Sequence, residues 1–335
     1  MKYLGGNSCK LCFLALTLWM VVGCAKSFDD DFTDYERLAV SPGKQLFGIA
    51  FYNDSIGLVS GGVPGSSGFV YRTINAGANW NLVYQNPKRC MYAVGFSAQG
   101  KAYAGGDYLQ LDTSSNIGLN WHFFDHHSNV PTNEFDRPAF RQFFFKDKQV
   151  FIVGGDGFKK GIFYRTHNMG YDWQFAQFAN QMNAIWFTSP TTGFLGGNGL
   201  FLTTHDGGAN LQDGGLYHDF ITDFWFISSE VGYCCSYNGA VYKTIDNGQH
   251  WEQSGGNTAL TLNRKHYNAI AFSTPIHGYL AADDGLMGYT SDGGRTWKFY
   301  NLGQDCRFTN IWIQDSYVYL IATDGYLYKL KRLEL

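Results

Sequence analysis

The sequence is poor in charge. Only 16% of its 335 residues are charged, the formal net charge is −3, and no basic run exceeds a few positions. Proteins that bind nucleic acids through the phosphate backbone carry clustered Lys and Arg, so we expect no nucleic-acid partner. Glutamate is also scarce, with five in the whole chain, which leaves few candidates for a catalytic glutamate.

Metal-ligand spacing is absent among the seven cysteines. Three of them belong to the N-terminal segment, and two of the others are adjacent, so a β-strand would point these two toward opposite faces. We expect buried thiols that act as small hydrophobic side chains, with no disulfide framework, no metal and no cofactor. The four cysteines of the main body are Cys90, Cys234, Cys235 and Cys306.

Aromatic residues and glycine are abundant instead. Aromatics make up 18% of the chain and there are 41 glycines, a balance that suits an all-β protein with tight turns and aromatic packing. A chain of 335 residues exceeds one ordinary domain, although a propeller or barrel can use that length as one unit.

The first 23 residues are predicted to be a signal peptide. Lys2 and Lys10 precede the apolar run "LCFLALTLWMVV", which is too short to span a membrane comfortably. "VVGC" resembles the lipobox of bacterial lipoproteins, which implies cleavage before Cys24 and a lipid on its thiol. The alternative is an ordinary signal peptide with a chance cysteine.

Residues 24–33 are interpreted as an acidic tether. The sequence "AKSFDDDF" resembles the surface-export signal of lipoproteins in the Bacteroides group. This resemblance implies a lipid-anchored protein of the bacterial outer membrane that faces the cell exterior. A solvated acidic linker without export function is the alternative. Residues 34–335 are then the folded domain.

An eight-residue motif occurs six times. Its pattern is Ser/Thr, any residue, Asp/Asn, any residue, Gly, two of any residue, then Trp, which Leu211 replaces in the fourth copy. The copies start 41, 52, 38, 40 and 46 residues apart, the length of a four-stranded propeller blade. They read "TINAGANW", "SSNIGLNW", "THNMGYDW", "THDGGANL", "TIDNGQHW" and "TSDGGRTW".

A second repeat precedes each motif and occurs seven times. Each copy reads as an apolar strand, a polar turn and a second apolar strand, and the copies align on Phe51, Phe96, Phe145, Phe187, Phe226, Phe272 and Ile313. The chain ends after the third strand of the seventh copy, so no seventh motif follows. We predict an all-β, single seven-bladed propeller whose last blade is completed by an N-terminal strand, residues 35–40.

The motif resembles the Asp-box, or bacterial neuraminidase repeat. This repeat occurs in sialidases, xyloglucanase-type glycosidases, sortilin-type receptors and photosystem II assembly factors. The resemblance implies that the motif joins the third and fourth strands of a blade, on the side opposite the usual ligand face. Three copies carry Asn in place of Asp, which a turn-capping oxygen tolerates and a catalytic acid does not. We assign a structural role to Asn75, Trp80, Asn116, Trp121, Asn168, Trp173, Asp206, Asp246, Trp251, Asp292 and Trp297.

Ligand-binding residues are expected on the opposite face, in the connections between blades and in the turns between second and third strands. Two interblade connections, from His122 and from Glu252, are unusually long and chemically mixed. One candidate, Asp223, belongs to an inner strand and is expected to line the central channel. The candidate ligand-face residues are Tyr108, Asp136, Arg137, Arg141, Lys159, Asp223, Arg264, His266, Asp283, Asp284 and Arg307.

Catalysis is less well supported than binding. The sialidase Phe/Tyr-Arg-Ile-Pro motif has only "FDRP", residues 135–138, as a counterpart, and this tetrapeptide has an inserted Asp and lacks Ile. Asp136 with Asp283 or Asp284 could form a glycosidase carboxylate pair, but xyloglucanase-type enzymes use two propellers. We therefore expect a non-catalytic scaffold that recognises a protein partner. The alternative is a glycan-binding or glycoside-hydrolase protein of a polysaccharide-utilisation system.

Overall fold

The computed structural model describes residues 30–125, 138–216, 219–256 and 265–334. Within these ranges the protein is built from β-strands, with one short 3₁₀ turn at Asp107–Leu109. In chain order the strands are β1 (Asp30–Asp31), β2 (Glu36–Ala39), β3 (Gln45–Phe51), β4 (Gly57–Val63), β5 (Ser67–Thr73), β6 (Asn81–Asn86), β7 (Met91–Phe96), β8 (Ala102–Gly106), β9 (Leu111–Ser114), β10 (His122–Phe123), β11 (Ala139–Lys146), β12 (Gln149–Asp156), β13 (Lys160–Thr166), β14 (Gln174–Phe178), β15 (Met182–Phe187), β16 (Gly193–Gly197), β17 (Phe201–Thr204), β18 (Gln212–Asp213), β19 (Ile221–Phe226), β20 (Gly232–Ser236), β21 (Ala240–Thr244), β22 (Glu252–Gly256), β23 (Tyr267–Phe272), β24 (Gly278–Ala282), β25 (Leu286–Thr290), β26 (Lys298–Asn301), β27 (Phe308–Gln314), β28 (Tyr317–Ala322) and β29 (Tyr326–Lys331).

The strands form seven separate sheets, each a propeller blade, and all pairs are antiparallel except that of β1 with β26. Blades 1 to 6 take four consecutive strands each, from β3–β6 to β23–β26, and blade 7 contains β27, β28, β29 and β2. The first strand of each blade contacts the first strand of the next, and β27 contacts β3, so the seven sheets close into a ring. The predicted single seven-bladed propeller is confirmed.

The N-terminal strand completes the last blade, as predicted. Strand β2 pairs antiparallel with β29, and Leu38 lies opposite Leu327. The Arg37 guanidinium lies 3.6 Å from the ring centroid of Tyr326 and donates a hydrogen bond to Asp324 Oδ2 at 2.9 Å. This pairing places β2 in the same sheet as the last strands of the chain and covers the edge of β29.

The acidic segment before β2 also contacts the ring where the structure describes it. Strand β1 pairs in parallel with β26 and gives blade 6 a fifth strand. The Phe32 amide donates to Asn301 O at 2.9 Å, and the rings of Phe32 and Tyr300 meet edge to face at 5.5 Å. The edge of β26 offers unpaired backbone groups, which explains how so short and acidic a sequence becomes a strand.

Aromatic rings fill the space between blades. Phe151 and Phe187 stack at 3.8 Å, and Tyr233 and Phe272 stack at 3.9 Å. Strand β24 begins with Gly278, where a Cβ atom would lie 2.5 Å from the Phe272 ring. In four blades the aligned phenylalanine lies opposite a glycine in this way, so the two residues belong to one packing pattern. The four cysteines of the described body are buried and unpaired, as predicted.

The six motif turns share one hydrogen-bond pattern. The Ser/Thr hydroxyl donates to the Asp/Asn side-chain oxygen at 2.8–2.9 Å and accepts from the motif glycine amide at 2.8–3.1 Å. The same Asp/Asn oxygen also accepts a hydrogen bond from a backbone amide later in the turn, at 2.9–3.0 Å. Backbone hydrogen bonds at these turns lower the pKa of Asp206 and Asp246 to about 2. Asn and Asp therefore perform the same task.

Candidate functional site

Each of the seven inner strands carries a β-bulge near its start. At this point the pairing with the second strand skips one residue, for example between Leu46 and Gly48. A bulge re-aims a side chain and is common beside functional sites. The skipped residues are Phe47, Tyr92, Arg141, Asn183, Thr222, Asn268 and Thr309.

All seven bulge residues line one cavity of about 450 Å³ at the mouth of the central channel. Interblade connections add Gln181, Phe220 and Arg307, and turns between second and third strands add Phe158, Asn198 and Tyr237. We call this end of the ring the upper face. The motif turns join third and fourth strands and so lie at the opposite end, the lower face.

Below this upper cavity, the channel becomes aromatic. A second cavity of about 350 Å³ is lined by large rings three residues beyond the bulges, among them Phe144, Trp186, Trp225 and Trp312. Trp186 lies 5.6 Å from Trp225 and 5.2 Å from Phe144. The channel therefore has a polar upper end and an apolar lower end.

Four consecutive bulge residues connect neighbouring blades. Each donates a side-chain hydrogen bond to a backbone carbonyl at the start of the next inner strand, and we call these four the staple residues. The bonds are Asn183 Nδ2 to Ile221 O at 3.1 Å, Thr222 Oγ1 to Tyr267 O at 2.8 Å, Asn268 Nδ2 to Phe308 O at 2.9 Å and Thr309 Oγ1 to Leu46 O at 2.7 Å.

The other three bulge residues contact one another instead, and we call them the bulge stack. The rings of Phe47 and Tyr92 lie 4.9 Å apart, and the Arg141 guanidinium carbon lies 3.9 Å from the Tyr92 ring centroid. Within the described ranges Arg141 has no hydrogen bond or ion pair through its side chain, and its Nε atom is buried without a partner. A buried unpaired donor of this kind requires an explanation.

A carboxyl group lies in the same cavity. Asp223 Oδ1 accepts from Gln142 Nε2 at 3.1 Å, and its Oδ2 accepts from the Ile270 amide at 3.1 Å. Burial raises the pKa of Asp223 to about 7, against the lowering effect of these hydrogen bonds. Near neutral pH the cavity therefore contains a carboxyl group that is only partly ionised.

The amides around the cavity use their N–H groups on the protein itself. Gln181 Nε2 donates to Asn183 Oδ1 at 2.6 Å, and Asn183 Nδ2 donates to Asn198 Oδ1 at 3.0 Å. Asn268 Nδ2 donates to Asp283 Oδ1 at 2.8 Å. These side chains hold the rim of the cavity in place and have few donors left for a ligand.

The structure brings some of the predicted ligand-face residues together. Those that line the cavity are Arg141, Asp223 and Arg307. Two more contact lining residues: the His266 ring stacks on Tyr237 at 4.1 Å, and Asp283 binds Asn268. Three other predicted residues, Tyr108, Lys159 and Asp284, are exposed on neighbouring turns but do not line the cavity. Those that fall outside the described residues are Asp136, Arg137 and Arg264.

Sequence reasoning missed six of the seven bulge residues and the aromatic lining residues Phe158, Phe220 and Tyr237. A signal for the bulge residues does exist in the sequence, because each lies four positions before an aligned Phe or Ile. In the seven aligned repeats, the residue at this position is aromatic, basic or small and polar, whereas the residues on either side of it are mostly apolar. The predicted ligand-face residues do not include Phe158 and Tyr237, which are 65% and 38% exposed.

No cluster of three or more His, Cys, Asp or Glu in the described ranges is arranged to hold a metal ion. No helix in this part of the protein is long and apolar enough to cross a membrane.

Comparisons with known proteins place the ring among propellers. No protein-family profile matches the sequence, and no curated protein does. The fold is similar to that of YCF48. A structure described as "YCF48 bound to D1 peptide" has a TM-score of 0.69 at 16% identity and covers 92% of this chain and 99% of its own. YCF48 from Cyanidioschyzon merolae gives 0.68 at 17% identity, with 90% and 100% covered.

A chain of the Mitotic Checkpoint Complex is also similar, with a TM-score of 0.66 at 9% identity, and it covers 90% of this chain and 95% of its own. At such identities the likeness shows the fold alone.

Proposed function

We propose that the protein is a non-catalytic scaffold that recognises a peptide segment of a protein partner at its upper face. The observation that carries the proposal is the cavity of about 450 Å³ at the channel mouth. Two of its lining residues, Phe158 and Tyr237, are exposed aromatic side chains on turns between second and third strands. Concave, partly apolar sites with a few polar groups are typical ligand sites.

The structural neighbours support this proposal at a coarse level. One similar propeller, YCF48, is described as bound to a peptide. Transfer of peptide binding to this chain is part of our proposal, because the likeness itself concerns the fold. The physical support comes from a closed, rigid ring that presents variable turns at one end.

We also propose that the six motif turns are Asp-box turns, supported by their shared hydrogen bonds and their spacing. Their exposed faces then serve the fold, and the partner binds elsewhere. Apolar residues are exposed on these turns too, for example Tyr171 at 88%, so the two faces can be compared directly by mutation.

Affinity capture with paired variants tests the proposal. The tagged full-length protein, taken from its own membrane, should retain a defined protein partner. Phe158→Ser with Tyr237→Ser should abolish that retention, because both rings lie at the cavity. Tyr171→Ser with Ile245→Ser, which removes two exposed lower-face side chains, is the matched control. Loss of the partner in the control pair only would contradict the proposal.

For its location, we propose a surface-exposed lipoprotein of the bacterial outer membrane, anchored through Cys24. The supporting observations are the apolar run, the "VVGC" sequence and the acidic stretch that follows. Cys24→Ala should abolish incorporation of labelled palmitate and release the protein from the membrane fraction. Continued lipid labelling of the variant would contradict the anchor, and resistance of the tethered protein to added protease would contradict surface exposure.

Glycan binding is the second candidate. Aromatic pairs lie at the cavity, Phe158 with Phe220 at 5.6 Å and Tyr237 with His266 at 4.1 Å, and rings beside amides suit sugar binding. The amide donors, however, are largely used within the protein. Retention on polysaccharide columns, lost in the Phe158→Ser Tyr237→Ser variant and without any captured protein, would favour this candidate.

A further inference from the structure

The bulge residues of blades 1 to 3, which form the bulge stack, differ in chemistry from those of the other four blades. In blades 4 to 7 the bulge residue is Asn or Thr and donates to the next inner strand, whereas blades 1 to 3 carry Phe47, Tyr92 and Arg141. Positions that depart from a local structural rule without a compensating structural gain are expected at functional sites. The departure lies in three adjacent blades and faces one cavity.

Arg141 is the side chain of this stack with unused hydrogen-bond donors. The described residues offer it the Tyr92 ring but no acceptor, and its Nε atom is buried. The neighbouring amides Gln181 and Asn183 have bonds to protein oxygens. A guanidinium stacked by one face on an aromatic ring keeps its N–H groups, which lie in the plane, for a planar acceptor.

We infer that Arg141 anchors a single carboxylate group of the bound peptide, with Phe47 and Tyr92 as the apolar wall beside it; this rests on the proposed function. A carboxylate matches the planar, bidentate geometry of a guanidinium. The carboxylate is either the peptide C-terminus or an Asp or Glu side chain, which have the same chemistry.

The charge of the cavity favours one negative charge over two. The cations that line it, among the described residues, are Arg141 and the exposed Arg307 at its mouth. Asp223 lines the same cavity, so when it ionises the three charged side chains sum to +1, which one carboxylate neutralises and a phosphate dianion would exceed. Arg141 therefore suits a carboxylate better than a phosphate ester.

The test uses a synthetic library of N-acetylated heptapeptides with free C-termini, selected on the full-length protein in detergent. The tightest binder is remade in two further forms, one with an amidated C-terminus and one with Asp and Glu replaced by Asn and Gln. Binding of each form is measured to the wild type, Arg141→Gln, Arg141→Lys and Arg295→Gln. Arg295 is exposed on a lower-face turn, so its variant is the control for loss of one positive charge.

We expect one of the two neutral forms to bind the wild type about 10- to 100-fold more weakly, as for a charge-assisted hydrogen bond. The amidated form identifies the C-terminus as the source, and the other form identifies a side chain. Arg141→Gln should weaken the parent peptide equally and bind parent and neutral peptides alike. Arg141→Lys should fall between wild type and Arg141→Gln, and Arg295→Gln should match the wild type.

Each other result decides against the inference. Equal binding of charged and neutral peptides by the wild type, with loss in Phe158→Ser Tyr237→Ser, overturns the carboxylate anchor and leaves the proposed function standing. A charge effect that persists in Arg141→Gln shows that another group is the anchor. A library with no binder, or binders indifferent to Phe158→Ser Tyr237→Ser, overturns both. Retention of the protein on polygalacturonate without any peptide binding would also overturn both proposals and would assign the site to acidic glycans.

Discussion

The staple residue Thr309 allows a quantitative prediction of stability, because it lies where blade 7 meets blade 1 and the ring closes. Thr309 Oγ1 donates to Leu46 O at 2.7 Å and contacts Ile321 O at 3.2 Å, so it joins blade 7 to blade 1 across 263 positions of sequence. Thr309→Val keeps the side-chain shape and removes the donor. The Leu46 carbonyl then loses this donor at a half-buried position, which costs about 1–3 kcal/mol of the free energy of unfolding.

Urea unfolding followed by tryptophan fluorescence measures this cost. The midpoint should fall with little change in slope, and the melting temperature should fall by about 2–4 °C. Thr33→Val is the matched control, because Thr33 is exposed and has no side-chain hydrogen bond within the described ranges. Equal midpoints for the two variants would refute the assignment of the staple residues as interblade connections.

Three further predictions follow from the site and the turns. Arg141→Asn places a staple-type side chain in blade 3 and removes an unpaired guanidinium, so thermal unfolding should show unchanged or raised stability while peptide binding weakens about 10- to 100-fold; clear destabilisation would contradict this. Asp206, Asp246 and Asp292 have pKa values lowered to about 2, so they stabilise the fold above pH 4 and lose this as pH falls toward 2. Their triple Asn variant should unfold less steeply with acid, and an unchanged acid profile would refute it. Asp223, with its pKa raised from 3.8 to about 7, lowers stability as pH rises from 4 to 7, by at most about 4 kcal/mol. Asp223→Asn should lack this slope in denaturant titrations at successive pH values, and a retained slope would contradict it.

The seven-bladed ring was predictable because the residues that repeat along the sequence have a definite role in packing or in turns. Phe272 lies opposite Gly278, and this Phe–Gly pair occurs in four blades. Thr290 closes its turn with Asp292 and a glycine, and this turn occurs in six blades. The N-terminal strand of the last blade was also predictable, because the seventh repeat contains three strands and a blade needs a fourth.

The candidate site was only partly predictable, because a bulge changes register without changing composition. Arg141 and Asp223 were predicted from their place near the start of inner strands, but nothing local distinguishes Asn183 as a staple residue from Arg141 as an unpaired cation. That distinction depends on whether a carbonyl of the next blade is within reach. The fifth strand of blade 6 was missed for a similar reason, because Asp30–Asp31 pairs with an edge formed by distant residues.

Site-specific photo-crosslinking in the native cells tests the central claim most directly. A photoreactive phenylalanine analogue replaces Phe158 on the upper face or Tyr171 on the lower face, both of which are exposed in the free protein. Our account predicts a protein cross-link from position 158 and none from position 171. A cross-link from position 171 alone would place the partner on the lower face and contradict it.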